Sequence, residues 1–160
     1  RAGLQYIHDT VKAQWEKSIA DTRAKMGDSA LTAMREKYGQ IHRTKIDIIR
    51  QMAAMNIMLL IGADGGEDYM VPGFSMVDEM KIFKEAGLNN YRILQCATIN
   101  AAKYMQQDKD WGTVATGKQA NLVLLAANPL EDLHAVTQVQ GVFIDNKYLP
   151  QKELEASLNP

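Results

Sequence analysis

A short apolar run at residues 57–61 constrains the fold of this chain more than any other feature. The run reads Ile-Met-Leu-Leu-Ile, and the segment that follows at 62–66 reads Gly-Ala-Asp-Gly-Gly. An uncharged run of this length that ends at glycines is typical of a buried strand. Buried strands of this kind belong to parallel sheets covered by helices, so the run predicts an α/β fold.

Helical periodicity precedes the apolar run. Apolar residues recur every three or four positions over 4–26, and Gly27 follows as a helix stop. A short helix is predicted over 31–37. Thr44 is predicted to cap a stronger helix that ends at Asn56, immediately before the run. A helix followed directly by an apolar strand is the pattern of α/β folds.

Downstream of the run, the sequence pattern changes from helices to short strands near residues 110–112. Before this point, one helix is predicted to end in a Schellman motif at 86–88. Another, capped by Asn89 or Asn90, is predicted to cover 91–105. Beyond it, the pattern predicts a buried strand at 122–125, a second strand at 139–144, a turn at 145–147 and a short helix at 152–158. We therefore expect two portions, residues 1–110 and residues 111–160.

Composition excludes several classes of protein. A chain of 160 residues can bury one core, but a complete (β/α)8 barrel usually takes roughly 250 residues. A net charge of −1 without a basic cluster gives no reason to expect nucleic acid as a partner. The longest apolar runs are far shorter than a membrane span, so we expect no membrane partner. The single cysteine, Cys96, excludes an internal disulfide and is expected to be a buried thiol.

Asp64 is the residue best suited to a catalytic or metal-binding role. A carboxylate at the carboxyl end of a central strand can bind a divalent metal ion and accept a proton from water. Gly65 and Gly66 would let a loop fold closely over such a site. The spacing alone, however, favours a turn residue, because a strand followed by Asp-Gly is common. The acidic residues 67, 68, 78 and 79 near this loop could line the mouth of a pocket, but solvated charges are the favoured interpretation.

Five short motifs follow one another in order along the chain. They are Gly-Ala-Asp at 62–64, Glu-Ala-Gly-Leu at 85–88, Ala-Thr at 97–98, the glycine-containing segment 112–123 and Asn-Pro-Leu-Glu-Asp at 128–132. In order and spacing they resemble the C-terminal part of metal-dependent hydrolases of the amidohydrolase superfamily, in particular its imidazolonepropionase- and prolidase-like branch. This chain departs from the family pattern at Ala63, Ala101 and Asn121, where the family has Thr, often Pro, and usually Asp.

The resemblance implies a fold and a reaction. Residues 1–110 would be the last helices and the eighth strand of a (β/α)8 TIM-type barrel, and residues 111–160 would be strands of a small composite β-sandwich. The reaction would be hydrolysis of an amide or cyclic amide bond, in a small molecule or a peptide, by a metal-activated water. The metal would be a divalent ion, expected to be zinc. Asp64 would be its ligand and the catalytic proton carrier, while Gly65 and Gly66 would shape the substrate loop.

The remaining metal ligands of the superfamily have no match in this sequence. The family uses a His-x-His pair, a Lys or Glu and two further histidines, whereas His8, His42 and His134 have neither the spacing nor the strand-end placement. A zinc site needs at least three protein ligands, and Asp64 supplies one. The chain alone is therefore expected to be inactive and to depend on a missing N-terminal barrel portion. The complete protein is expected to be a homo-oligomer.

Three other interpretations fit parts of the sequence. In the first, the chain is a non-catalytic α+β structural or interaction module without a metal site. In the second, it complements a separate N-terminal chain. The third is a nucleotide site, because residues 112–118 match most of a phosphate-binding loop. In that motif, however, Gln119 stands where Ser or Thr must bind magnesium, and a strand rather than a helix is predicted next.

Overall fold

The computed structural model describes residues 3–64 and 68–158 of the chain. Within these residues, α-helices are combined with one small antiparallel sheet, so the mixed α/β class is confirmed. None of the described helices is both long and apolar enough to cross a membrane. The elements are α1 (Asp9–Lys25), α2 (Asp28–Ala54), α3 (Phe74–Glu85), α4 (Asn90–Ala97), α5 (Ile99–Tyr104), β1 (Leu122–Leu125), β2 (Val139–Ile144), β3 (Lys147–Pro150) and α6 (Gln151–Leu158), with short 3-10 helices at Leu4–Tyr6 and Leu133–Thr137.

The two N-terminal helices differ from their predicted bounds. α1 begins only at Asp9, because the side chain of His8 caps it and accepts a hydrogen bond from the backbone N–H of Thr10. The prediction of two helices between residues 31 and 56 was wrong, since α2 runs through Gly39 without interruption. A single glycine inside a helix costs only about 1 kcal/mol, which the neighbouring turns offset.

The predicted strand at 57–61 was wrong for the structure described. This segment belongs to no strand, and the sheet that is present is antiparallel and formed by β1, β2 and β3. Strand geometry needs backbone hydrogen bonds from a neighbouring strand, and no strand lies beside this segment among the described residues. Leu59 and Ile61 are buried, whereas Ile57 and Met58 are 40% and 48% exposed.

Helices α2, α3 and α4 pack around the segment 57–61 and form the main core with it. The largest fully buried side chain is Ile93 on α4. As predicted, α3 ends in a Schellman motif, in which the N–H of Leu88 donates to the carbonyl of Phe83 at 3.2 Å. We call this cluster the helical core, and its buried members are Ile46, Ala53, Leu59, Ile61, Phe83, Ala86, Leu88, Ile93 and Cys96.

The predicted helix over 91–105 is two helices. Of the two predicted cap residues, Asn89 is the one that caps α4, by accepting a hydrogen bond from the N–H of Arg92 at 2.9 Å. The helix breaks at Thr98, whose φ of −130° and ψ of −94° lie outside the helical region. Its hydroxyl donates to the carbonyl of Leu94 at 2.7 Å, a local bond that competes with helical hydrogen bonding.

The sheet has the order β1-β2-β3. The predicted turn after β2 is confirmed, because Asp145 and Asn146 have φ values of 49° and 60°, as a two-residue hairpin of type I′ requires. β3 was not predicted. The expectation that 122–125 is buried was wrong, since Val123 and Leu124 are 57% and 50% exposed. Helix α6, close to its predicted bounds, packs against β2 and β3.

Candidate active site

The backbone that leads to Asp64 is held by α4 and by the following helix α5. The side-chain amide of Asn100 on α5 donates to the carbonyl of Leu59 at 3.0 Å. Two residues further on, the N–H of Ile61 donates to the carbonyl of Cys96 at 3.2 Å. These bonds satisfy polar groups of a buried segment that has no strand beside it among the described residues. They fix the segment against the end of α4.

A third bond comes from α3. The backbone N–H of Gly62 donates to Oε2 of Glu79 at 2.8 Å. Glu79 is half-buried, and this burial raises the pKa of its carboxyl, while the hydrogen bond from Gly62 acts in the opposite direction. The expectation that Glu79 is a solvated charge was therefore wrong. No local sequence pattern identifies this contact, because its two residues are 17 positions apart.

Asp64 lies two residues beyond this bond, at the end of the described segment. It is exposed and has a φ of 39°, in the left-handed region. Asp is one of the few residues other than glycine that adopts this conformation readily, because its short side chain can bond locally. Gly65 and Gly66, the predicted substrate-loop residues, lie outside the described residues.

A pocket of about 660 Å³ lies next to this segment, between α2 and α3. Gly62 and Ala63 form part of its wall, so the pocket borders the residue that precedes Asp64. Asp78 also lines it, and its carboxylate accepts a hydrogen bond from Lys81 at 2.8 Å. The pocket therefore combines charged groups with an apolar floor. Its other polar and aromatic lining residues are Tyr38, His42, Lys45, Tyr69, Phe74, Ser75 and Glu79.

The described residues do not form a metal centre by themselves. Among residues 3–64 and 68–158, no group of three or more His, Cys, Asp and Glu side chains is arranged to hold a metal ion. Two of the three histidines have other side-chain contacts: His8 caps α1, and Nε2 of His42 lies 3.4 Å from a carboxylate oxygen of Glu85. Asp64 thus stands as one candidate ligand, and a tetrahedral zinc site needs at least two more protein ligands.

Comparison with protein-family models matches residues 5–149 to the amidohydrolase family. Among solved structures, the chain is similar to a Xaa-Pro dipeptidase with methionine bound in its active site (24% identity, TM-score 0.59, 66% of this chain and 25% of that chain covered). It is also similar to a protein from Bifidobacterium longum assigned as a prolidase (27%, 0.60, 71% and 29%). A third similar structure is an amidohydrolase (20%, 0.59, 76% and 32%).

A search of the curated proteins gives no match. The chain spans between 25% and 32% of the length of the three solved structures described above. At 24% and 20% identity, the likeness to the dipeptidase and to the amidohydrolase concerns the fold alone.

Proposed function

Because this chain belongs to the amidohydrolase family, we propose that it is the C-terminal part of a prolidase-like hydrolase. The substrate is an amide or cyclic amide, and the bond cleaved is a C–N bond, including a peptide bond. The observation that carries the proposal is the family match over residues 5–149, which contains Asp64 and all five motifs noted in the sequence. The prolidase-like relative at 27% identity supports the peptide or small-molecule class of substrate.

In this proposal, Asp64 is the residue that the chain contributes to the chemistry. Its carboxylate accepts a proton from the attacking water and returns it to the leaving nitrogen, which is general base and then general acid catalysis. A divalent metal ion, zinc in our proposal, would lower the pKa of the water when bound. Since the described residues supply a single candidate ligand, the other ligands belong to an N-terminal barrel portion.

The rest of the chain has a supporting part in the proposal. Residues 1–110 provide the last helices and the segment 57–61, which becomes the eighth strand when the N-terminal barrel portion supplies a neighbouring strand. Residues 111–160 provide strands of a composite sandwich. Gly65 and Gly66 shape the substrate loop. The chain without its N-terminal portion is inactive, and the complete protein is a homo-oligomer.

The first test is the nucleotide sequence immediately upstream of the Arg1 codon. We expect an open frame that encodes His-x-His, a Lys or Glu and two later histidines. In the protein from that complete frame, Asp64→Asn is expected to lower kcat by roughly 10²–10⁴-fold, the usual contribution of a positioned acid–base group. Asp68→Asn, a change in a nearby exposed acid, is the matched control and should leave kcat unchanged.

Two results would overturn the proposal. One is a start codon directly before Arg1 with no coding sequence for further ligands upstream. The other is a complete protein in which Asp64→Asn and Asp68→Asn have equal activity. Either result would favour the second candidate, a non-catalytic α+β module, which fits the absence of a metal-binding group among the described residues. That module would fold and remain stable in the presence of chelators.

A further inference from the structure

We infer that Glu79 is a positioning residue that fixes the backbone of Asp64 through the N–H of Gly62. The inference rests on the role proposed for Asp64, because positioning matters only if this carboxylate has a site to serve. It adds Glu79 of α3 to the proposed site, 17 positions along the chain from the backbone N–H of Gly62 that it holds.

The first step of the argument is the placement of the three bonds along the segment. The carbonyl of Leu59 and the N–H of Ile61 are held by Asn100 and Cys96, which belong to α5 and α4. The Gly62 N–H is the last of the three, and only Ala63 separates Gly62 from Asp64. Without this bond, the last of the three restraints before Asp64 along the chain would be the one at Ile61.

The second step is that Glu79 is placed for this contact at an energetic cost. A half-buried carboxylate loses hydration, which is why its pKa is raised. Among the described residues, no Lys, Arg or His forms an ion pair with it, whereas its neighbour Asp78 pairs with Lys81 one turn away. The Gly62 N–H is therefore the group that compensates the buried charge, and a charge-assisted bond of 2.8 Å is stronger than a neutral one.

The third step is that close packing at Gly62 does not restrain the segment. Among residues 3–64 and 68–158, nothing lies within 4 Å of the position that a Cβ would occupy at Gly62. Within this part of the chain, the restraint that the structure shows at residue 62 is the hydrogen bond to Glu79. Because the bond between Gly62 and Glu79 can be removed without creating a cavity in the helical core, its effect can be measured separately from that of core packing.

The experiment measures backbone order in the ¹⁵N-labelled 160-residue chain. Three variants are compared with the wild type: Glu79→Ala removes the acceptor, Glu79→Gln retains an acceptor oxygen, and Asp78→Asn is the matched control on the same helix. In Glu79→Ala we expect amide exchange at Gly62 to accelerate roughly 10-fold or more, and the order parameter at Asp64 to fall from about 0.85 to below about 0.6. Glu79→Gln and Asp78→Asn should resemble the wild type.

Amide exchange at Ile93 serves as the internal reference, because a general loss of stability would accelerate exchange there as well. An unchanged order parameter at Asp64 in Glu79→Ala, with the helical core intact, overturns the inference. If Glu79→Ala does not fold, the decision passes to Glu79→Gln. The Gly62 amide proton shift should follow a carboxyl titration in the wild type and lose it in Glu79→Gln, and a titration that persists overturns the inference.

These readouts do not require catalysis, so they separate this inference from the proposed function. In the complete protein, Glu79→Ala is expected to lower kcat about 10-fold with little change in KM, and Glu79→Gln is expected to restore most of it. Loss of order at Asp64 in a protein without hydrolase activity would refute the proposed function and leave the contact established. Loss of order with unchanged kcat would refute the positioning role.

Discussion

The helical core and the three-stranded sheet use similar apolar sequences with opposite results. The segment 57–61 places Leu59 and Ile61 at 8% exposure each, because α2, α3 and α4 enclose them. The run at 122–125, which is equally apolar, leaves Val123 57% exposed and Leu124 50% exposed. The difference shows that hydrophobicity alone does not bury a segment. Burial needs a second layer, and α6 packs mainly against β2 and β3.

A hydrogen bond and a close approach of the backbone help to join the two regions. The buried side chain of Asn90 on α4 donates to the carbonyl of Leu130 at 3.0 Å and accepts a hydrogen bond from Lys84 at 2.6 Å. Gly112 lies against α5, where its hypothetical Cβ would be 2.7 Å from the Cβ of Ala102. The connection between the two regions therefore combines a hydrogen bond, a close approach and the packing of Leu133 against the helical core.

The largest effect is expected from Ile93→Ala in the helical core. Ile93 has no exposed surface, so its truncation should lower the free energy of unfolding by about 2–5 kcal/mol, from lost burial and the cavity left behind. Urea denaturation followed by circular dichroism measures this change. Ile48→Ala on α2 is the matched control, since Ile48 is 49% exposed and should change stability by less than about 0.5 kcal/mol. Equal losses would mean that the helical core is not the stabilising unit.

The next effect concerns the junction, where Gly112→Ala is compared with Gly117→Ala. Both glycines have positive φ, 95° and 88°, so each alanine pays about 1–2 kcal/mol for a left-handed conformation. At Gly112 the new Cβ would also meet the backbone of Ile99 at 3.0 Å, whereas Gly117 has open space. We expect Gly112→Ala to lower the free energy of unfolding by about 1–3 kcal/mol more than Gly117→Ala does in the same urea assay. Equal losses would show that the close approach is relieved at no cost.

A smaller effect is expected from the pH dependence of Glu79. Burial raises the pKa of its carboxyl, so the folded state holds this proton more tightly than the unfolded chain. The free energy of unfolding should therefore decline as the pH rises from the ordinary glutamate value of about 4.3 to the raised pKa. Glu79→Gln should remove this decline, which urea midpoints measured from pH 4 to pH 7 would reveal. A wild type and variant with parallel profiles would contradict it.

The smallest effect is expected in the sheet. Leu124→Thr replaces a half-exposed side chain with a residue of high strand propensity, so the free energy of unfolding should change by less than about 0.5 kcal/mol. Its effect on self-association should be larger, because β1 is an edge strand with exposed apolar side chains. Analytical ultracentrifugation of both proteins tests this. A loss comparable with that of Ile93→Ala would show that β1 is buried in solution.

Local features of this fold were predictable because their causes are local. The Schellman motif after Glu85, the cap at Asn89 and the hairpin turn at 145–147 each depend on residues within a few positions of one another. The family was also predicted correctly, from five motifs that are individually weak but occur in a fixed order. The match over residues 5–149 confirmed it.

The remaining features depend on distant parts of the chain. Whether 57–61 is a strand is decided by its neighbours, and the strand prediction was wrong for the described residues because β1, β2 and β3 pair elsewhere. The bond from Gly62 to Glu79 cannot be recognised in the sequence, since an acid in the middle of α3 is equally typical of the solvated face of a helix. The role of Asp64 stays a prediction, as do those of Gly65 and Gly66.

The burial of Cys96 makes its thiol a probe of the contact between α4 and the segment 57–61. Cys96 is the single cysteine, its carbonyl accepts the N–H of Ile61, and the side chain that holds Leu59 lies 3.8 Å from its sulfur. Burial raises the pKa of this thiol, with the charge of Arg92 opposing the shift, so it reacts slowly while it is covered. The rate of thiol labelling in the native protein therefore reports how often the backbone before Asp64 separates from α4.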